Sequence, residues 1–384
     1  MRFDNFRKVL RIFLEGEINS YNSELISKQI DEIIAKQTFN KLVLDFSNVS
    51  FISSAGLRVI LKLKQKYNEL SIVETSLDVY DIFNMTGFTR IMNVKKALAQ
   101  VFISGASVIG DGFYSTVYRL NKDTIVKVFN QVSDEDQIER ELALSKEAFM
   151  LGLPTAISYD VVKVGDKIGV RFEMLDCQPL NKVAAQNDDK LKEYVHKYVD
   201  LLKKMNSIET ENPIIPSIKE QYLHKLTKLK DDLSKAQYDK AKKLLESIPE
   251  RQTLVHGDCH FKNILVQKDE LLLIDMETLS VGHPIFELAS LYCAYVGYSE
   301  SNKQEALDFF GLPSDQTTRL YNVLIDLYFG KEDEVIKDKI ALVGYVNICR
   351  WYKVHAEEEK ATLAKYIKRL ISLLDKYNDL DIGI

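Results

Sequence analysis

Cysteine is scarce in this chain. Four are spread over 384 residues, at Cys177, Cys259, Cys293 and Cys349, and no two form a CxxC pair. That scatter excludes a zinc framework or a disulfide scaffold and fits a reducing, cytoplasmic setting. Long apolar runs are also missing. None approaches the length of a membrane span, so no helical membrane anchor is expected. The opening MRFDNFRKVL lacks the apolar core of a signal peptide. An excess of positive charge is absent as well: 51 Lys and Arg stand against 56 Asp and Glu, for a formal net charge of -5. This balance gives no electrostatic reason to expect nucleic-acid binding. No Gly/Ser/Pro-rich linker follows the first hundred residues, since Val94 to Ile103 runs straight on. What remains is an ordinary globular composition, 46% hydrophobic and 28% charged. The chain is long enough for two or three domains, each with its own core.

The first hundred residues alternate strand and helix patterns. Lys8 to Glu15 reads as a strand ended by Gly16-Glu17, and Ser23 to Gln37 carries Leu25, Ile26, Ile30, Ile33 and Ile34 at helical spacing. Leu42-Val43-Leu44 reads as a buried strand, Ser54 to Asn68 as a helix, Leu70 to Glu74 as a strand, and Asp78 to Met85 as a short helix stopped by Gly87. This order predicts an α/β layer. At the start of the second helix, Ser53-Ser54-Ala55-Gly56-Leu57 offers free N–H groups and a positive dipole end, which would stabilise a phosphate. Ser53 or Ser54 serves equally as a helix cap there.

The densest chemistry lies in Leu254 to Thr278, LVHGDCHFKNILVQKDELLLIDMET. Ile264-Leu265-Val266 and Leu271-Leu272-Leu273-Ile274 read as two strands joined by a turn at Gln267 to Glu270. A hairpin brings Asn263 and Asp275 to one point, with Asp258 five residues ahead of Asn263. Two carboxylates and an amide oxygen suit a hard cation with an oxygen shell. Asn263 and Asp275 would hold Mg²⁺, and Asp258 would orient an acceptor hydroxyl and take its proton.

Upstream, VIGDGFYSTVY (Val108 to Tyr118) holds Gly110 and Gly112, which let backbone N–H groups approach phosphates closely. The next strand, Thr124 to Phe129, carries Lys127 among apolar neighbours. A lysine there needs a partner or a place on an outward-facing edge. A helix follows from Ser133-Asp134-Glu135-Asp136, an acidic cap, to about Leu151, stopped by Gly152. Glu141 is the expected partner of Lys127, because it shares a face with Ile138, Leu144, Ser145 and Ala148; Glu139 and Glu147 are its rivals. Gly169 to Leu175 reads as a buried strand. Beyond it the pattern is helical: Leu191 to Met205, Ile218 to Leu233, Ala241 to Ile248, and from Leu288 to near Tyr377. Tyr292, Tyr295, Tyr298, Tyr345, Trp351 and Tyr352 fall at helical spacing and read as core packing rather than as an aromatic cage.

His256-Gly257-Asp258, Asn263 and Asp275 together resemble the catalytic and metal loops of the protein-kinase-like phosphotransferases. Gly257 replaces the usual Arg, and Met276-Glu277 replaces Phe-Gly. The form HGDxxxxN followed by IDxE looks like the aminoglycoside phosphotransferase and choline kinase branch. Gly282 to Ala289 resembles the GDPxxDLA segment of that branch, with Glu287 where Asp is usual. The glycine loop resembles the kinase glycine-rich loop, with Ser115 at its third glycine. Leu44 to Leu61, with Gly16-Glu17 and Ile82 to Phe88, resembles the STAS domain of bacterial anti-sigma-factor antagonists. In that family the serine aligned with Ser54 is phosphorylated by a partner kinase; Ser53 stands where the family usually has Asp.

These resemblances imply an α/β STAS domain followed by an α+β protein-kinase-like bilobal domain, with a β-rich N-lobe and an α-rich C-lobe. The expected divisions are 1–100 for STAS regulation or docking, 101–180 for the N-lobe and 181–384 for the C-lobe. They also imply ATP and Mg²⁺ as cofactors. Gly110, Gly112, Ser115 and Val117 would cover the nucleotide, Lys127 and Glu141 would clamp its phosphates, and backbone groups at Glu173 to Leu175 would meet adenine. The implied activity is phosphotransfer to a hydroxyl of a small molecule, with an anti-sigma-factor-like or other signalling protein as a partner of the STAS domain. One alternative is a protein kinase acting on Ser54 or on a partner STAS protein. The other is a non-catalytic nucleotide-binding scaffold.

Overall fold

The structure is a computed structural model, and it describes residues 1–112, 115–130, 135–186, 188–356 and 358–384. Phe113 and Tyr114 of the glycine loop, Ser133 and Asp134 of the acidic cap, and the side chains of Glu135 and Asp136 lie outside the described residues. The chain forms two compact units, Met1–Phe102 and Ile103–Ile384.

The first unit is a five-stranded sheet in the order β1 (Arg2–Phe6), β2 (Val9–Ile18), β3 (Lys41–Ile52), β4 (Leu70–Thr75) and β5 (Asn93–Lys96). β1 runs antiparallel to β2, and the other pairings are parallel. Helices α1 (Ser23–Ile34), α2 (Ser54–Lys66) and α3 (Leu77–Met85) supply the crossovers that parallel strands require. Leu42 and Leu44 of β3 are fully buried, and Ile60 of α2 and Phe83 of α3 pack into the same core. Gly16 does not end β2. It sits in the strand at φ +77, where the pairing with β3 shifts register, so the glycine makes a bulge and the strand continues to Ile18. β3 likewise extends through Asp45, Ser47 and Asn48, because Asp45 has a partner. It accepts from Arg11 Nε at 2.8 Å and from the Ser47 N–H at 2.9 Å. Burial opposes the Asp45 charge, but Ser47 and Arg11 hold its carboxyl below the ordinary range.

In the second unit, strands Ser158–Val164, Lys167–Glu173, Thr124–Phe129, Ser115–Arg119 and Ser107–Asp111 lie side by side in that order, all antiparallel. Helix α4 (Glu135–Met150) packs on this sheet, burying Ile138, Leu144 and Ala148. Gly152, at φ +82, turns the chain away. Just beyond it, Pro154 C=O accepts from the Leu273 N–H at 2.7 Å, which ties this sheet to the hairpin Ile264–Gln267 and Glu270–Leu273. The hairpin turn is two residues, Lys268 and Asp269, both at positive φ, which matches the twist of tightly joined strands.

The remainder is helical, with Asp188–Met205, Ile218–Thr227, Lys235–Ser247, Ile285–Tyr292, Ser314–Phe329, Glu334–His355 and Lys360–Lys376 as its main elements. Helix Ile285–Tyr292 opens into a π-helical turn at Cys293–Gly297. A Cβ at Gly297 would lie 2.3 Å from Ile348, and one at Gly344 would lie 2.7 Å from Tyr292, so these glycines permit the close helix contact. The Tyr292 hydroxyl donates to that of Tyr345 at 2.8 Å, and Tyr345 reaches Glu300. These rings are core. No helix among the described residues is long and apolar enough to cross a membrane.

Candidate active site

Lys127 and Glu141 meet across the sheet and helix α4. Lys127 Nζ lies 2.7 Å from Glu141 Oε1 and 2.9 Å from Asp275 Oδ1. The Glu141 side chain is 5% exposed and that of Lys127 15%, so the pair is largely shielded from water. Burial works against the Lys127 charge, but Asp275 and Glu141 together hold its proton well above the ordinary value. Burial raises the Glu141 carboxyl, and Lys127 opposes that rise. The Asp275 side chain is 38% exposed; desolvation opposes its charge, yet Lys127 keeps its carboxyl below the ordinary range and so ionised. Its backbone sits at φ +67, a left-handed conformation rare outside glycine and often found at functional sites.

Asp258 stands at the other end of the loop. Asn263 Nδ2 donates to Asp258 O at 2.9 Å and to its Oδ2 at 3.1 Å. With its NH₂ so engaged, Asn263 is left with its amide oxygen to offer a cation. The Asp258 side chain is 46% exposed, yet desolvation by the protein around it pushes its carboxyl up to about 7; His256, Asn263 and Lys225 oppose the rise and the Asp275 charge adds to it. A base that titrates near neutrality suits proton abstraction there. His260 Nε2 approaches Asp258 Oδ2 at 3.5 Å. Burial lowers that imidazole to about 4, so it stays neutral.

The loop is stapled from three later positions. Glu287 Oε2 accepts from the backbone N–H of His256 at 2.5 Å and of Gly257 at 3.1 Å. The Thr278 hydroxyl donates to His256 O at 2.7 Å, and the Ser290 hydroxyl to Gly257 O at 2.6 Å. His256 is fully buried. Its Nδ1 accepts from the Asp258 N–H at 3.3 Å, which leaves Nε2–H to donate to Ile274 O at 3.1 Å. Gly257, at φ +79, carries no side chain because a Cβ would lie 3.1 Å from Thr278 O.

The oxygen set of Asp275 and Asn263 fits a small hard cation that keeps waters and phosphate oxygens as its other ligands. No group of three or more His, Cys, Asp or Glu that could hold a metal occurs among the described residues. The protein would therefore supply only part of the shell.

Gly110 and Lys127 both pair with Val117, so the three share one face of the sheet. The Gly112 N–H donates to Ser115 O at 2.9 Å, closing the glycine loop. The Glu173 side chain accepts from the Ile157 N–H at 2.8 Å, and the Glu173 N–H donates back to Ile157 O at 2.9 Å. Leu175 C=O accepts from the Cys177 thiol at 3.5 Å. Ser54, in the first unit, is exposed at the first turn of α2. The cap belongs to Ser53, whose hydroxyl accepts from the Gly56 N–H at 3.4 Å.

Several residues of the site carry roles that the sequence did not disclose. Glu287 is the clearest. It is fully buried in IFELASLY, and a carboxylate in so apolar a helix requires polar partners. That signal was available. Ser290 gave none, because its partner Gly257 lies 33 residues away in the chain.

The sequence model of the phosphotransferase enzyme family matches residues 105–319, more than half of the chain. The chain belongs to that family. The STAS domain model matches residues 4–101. Over this part the chain is 30% identical across 98 residues to the anti-sigma F factor antagonist of Paenibacillus polymyxa, covering 24% of this chain and 84% of that protein. It is 32% identical across 109 residues to the anti-sigma factor antagonist BtrV of Bordetella bronchiseptica, covering 27% and 93%. Two solved structures are similar to the larger part. Aminoglycoside phosphotransferase APH(2'')-Ib with ADP bound gives 15% identity and a TM-score of 0.49 over 70% of this chain and 94% of that one. A choline/ethanolamine kinase family protein from Mesorhizobium loti gives 13% identity and a TM-score of 0.48 over 70% and 88%. The fold is thus a STAS domain followed by a kinase-like domain with a strand-rich beginning and a helical remainder.

Proposed function

We propose that this chain transfers the γ-phosphate of ATP to a hydroxyl of a small molecule, and that its STAS domain regulates the enzyme or docks a partner of the anti-sigma-factor kind. The observation that carries the reading is the convergence of Lys127, Glu141 and Asp275 on one side and Asn263 and Asp258 on the other. Gly110, Gly112 and Ser115 would bring backbone donors to the phosphates. Val117 and the backbone of Glu173 and Leu175 would border the adenine. Lys127, fixed by Glu141, would clamp the α- and β-phosphates. Asn263 and Asp275 would hold Mg²⁺, whose part is to neutralise charge on the phosphate oxygens. Asp258 takes the proton of the acceptor hydroxyl. The freed oxygen bonds to the γ-phosphorus, the bond to the β,γ-bridging oxygen breaks, and ADP leaves. Gly257 supports a small acceptor: its backbone and the nearby Thr278 O leave no place for the arginine with which protein kinases read a phosphorylated loop.

A second reading takes Ser54 as the acceptor, in this chain or on a partner STAS protein. It is favoured by the exposure of Ser54 at a helix start whose capping duty falls to Ser53. One experiment separates the two. Purified protein and its Asp258→Asn variant are incubated with Mg-ATP and no acceptor, and intact mass and ADP release are read. An unmodified chain that releases ADP when small alcohols are added supports the small-molecule reading. A phosphate mapped to Ser54 in the wild type alone supports the second. Equal turnover by Asp258→Asn overturns the assignment of the base.

A further inference from the structure

His260 has no part in the chemistry above. It lies just ahead of the 3₁₀ turn Phe261–Asn263 and is buried. Its backbone N–H donates to Asp258 O at 2.9 Å, and its C=O accepts from the Asn263 N–H at 2.8 Å. The imidazole is thereby set against the Asp258 carboxylate, with Nε2 3.5 Å from Oδ2. Asn263 Nδ2 reaches the same oxygen at 3.1 Å. No donor reaches Oδ1 among the described residues, and the Asp258 side chain is partly open to solvent.

Aromatic rings hold the imidazole in this attitude. It meets Phe309 at 5.1 Å between ring centres and Phe310 at 5.7 Å, nearly perpendicular to both, at 83° and 86°. The two phenylalanines end helix Gln304–Phe310. Phe310 stacks on Tyr295 at 5.1 Å, and the Tyr295 hydroxyl accepts from the Phe261 N–H at 2.9 Å. The clamp thus returns to the residue next to His260, and ring and carboxylate are fixed to one stretch of backbone. Perpendicular ring contacts are directional, so they resist rotation of the imidazole.

The hydrogen of that ring can be placed. A nitrogen that faces a carboxylate oxygen carries hydrogen, because two lone pairs would repel. Nδ1 is buried with no partner among the described residues, so an N–H there would be stranded. The imidazole is therefore the neutral tautomer with its hydrogen on Nε2. At 3.5 Å this N–H is too far from Oδ2 for a formed hydrogen bond, and catalytic contacts that are long in an empty site tighten when substrate fills it. A phenyl ring would pack against Phe309 and Phe310 equally well, but it has no hydrogen to offer the carboxylate.

We infer that His260 is a positioning residue for the proposed base: its Nε2–H and the Asn263 NH₂ hold Asp258 Oδ2, and Oδ1 is left as the oxygen that takes the acceptor's proton. The inference rests on the phosphotransferase reading for what Oδ1 then does. The proton passes from the acceptor hydroxyl to Oδ1, and His260 keeps its own.

Two arms test this on the full chain. The first needs no turnover. The 6 histidines are labelled at both ring nitrogens with a heavy nitrogen isotope, and magnetic resonance at mildly alkaline pH reads which nitrogen of each ring bears hydrogen. The His260 signal is the one missing from His260→Gln. It is expected wholly in the Nε2–H form in the wild type and as a mixture of both tautomers in Asp258→Ala. The second arm reads ADP release from Mg-ATP, with glycerol, glucosamine or choline as acceptor and water where none of them is used. His260→Phe is expected to lower kcat about tenfold to a hundredfold, with KM for ATP within about twofold of wild type. His260→Gln, whose Nε2 takes the place of the imidazole Nε2, is expected to keep kcat within about threefold. A packing role alone predicts the opposite order, with Phe the better substitute. Urea midpoints read by Trp351 fluorescence show which variants fold, and where one does not, the spectra of wild type and Asp258→Ala decide.

A hydrogen on Nδ1 in the wild type, or a His260 signal unmoved by Asp258→Ala, overturns the inference whatever the turnover shows. A folded Phe variant with wild-type kcat overturns it as well. The expected spectra in a chain that calorimetry shows not to bind Mg-ATP would keep His260 on Asp258 and remove the phosphotransferase reading. ADP release with an unmoved His260 signal would do the reverse.

Discussion

Replacing Glu287 with alanine should unseat the loop that carries Asp258. Glu287 is fully buried, and one of its oxygens accepts from two backbone N–H groups, those of His256 and Gly257. A hydrogen bond to a charged group contributes about 1.5–3 kcal/mol. Burial pushes this carboxyl up to about 7, so it is only partly ionised at neutral pH and the lower value applies to each bond. Two such bonds and the buried methylenes come to about 4 kcal/mol. The chain's single tryptophan, Trp351, lies in the second unit and reports on it alone. Urea denaturation followed by its fluorescence should show a loss of that size. Turnover should fall about a hundredfold, as displacement of a reacting group by about 1 Å predicts. Glu287→Gln keeps the acceptor but places an NH₂ where Glu287 Oε1 has no partner among the described residues. It should cost about 1–3 kcal/mol and spare most of the turnover. The pH dependence has a definite sign. The folded carboxyl is raised from 4.5 to about 7, so between those values the folded state holds a proton that the unfolded chain has released. Stability should therefore fall as pH rises through that window, and the Gln variant should lose that part of the slope. An Ala variant within about 1 kcal/mol of wild type and with unaltered turnover would refute the staple.

Other substitutions test separate parts of the structure. Gly257→Ala forces a side chain into positive φ against Thr278 O, and Trp351 fluorescence should register a loss of about 1–3 kcal/mol together with lower turnover. Lys127→Ala leaves the Glu141 carboxylate buried without its cation, so it should cost about 3 kcal/mol and also weaken nucleotide binding measured by calorimetry. The double change Lys127→Met with Glu141→Leu should regain stability but not nucleotide binding. Asp45→Asn should destabilise the first unit at pH 7 by about 1–2 kcal/mol, a discounted figure because Arg11 is more than a third exposed. The Asp45 carboxyl is held below 3.8, so its contribution is present above that value and is lost as pH falls through the folded-state titration. Urea titrations by far-UV circular dichroism should show the Asn variant and wild type converging in acid.

Alternation along the chain disclosed α1, α2, α3, β4 and the strand of Lys127, because each buries one regular face. β1 escaped notice because its five residues are all exposed and show no apolar period. The polar part of β3 fell outside the strand read at Leu42 to Leu44, since nothing local shows that Arg11, on the neighbouring strand, answers Asp45. Gly16 looked like a stop because a lone glycine reads the same in a bulge and in a turn. At the site, spacing within the hairpin placed Asn263 and Asp275 together. The contact of Lys127 with Asp275 spans 148 residues, and no periodicity reaches so far.

The staples on the loop also set an order of assembly as the chain is made. Everything in the core of the first unit lies before Phe102, so that unit can complete itself early. His256 to Asn263 cannot be held in place until Asp275, Thr278, Glu287 and Ser290 have emerged. At about 5–20 residues per second, the ribosome needs about ten to forty seconds to travel from Phe102 to Ser290. During that interval the nascent chain displays a finished surface around Ser54 with no working phosphotransferase behind it. A protein that recognises the first unit can therefore meet it before the enzyme exists.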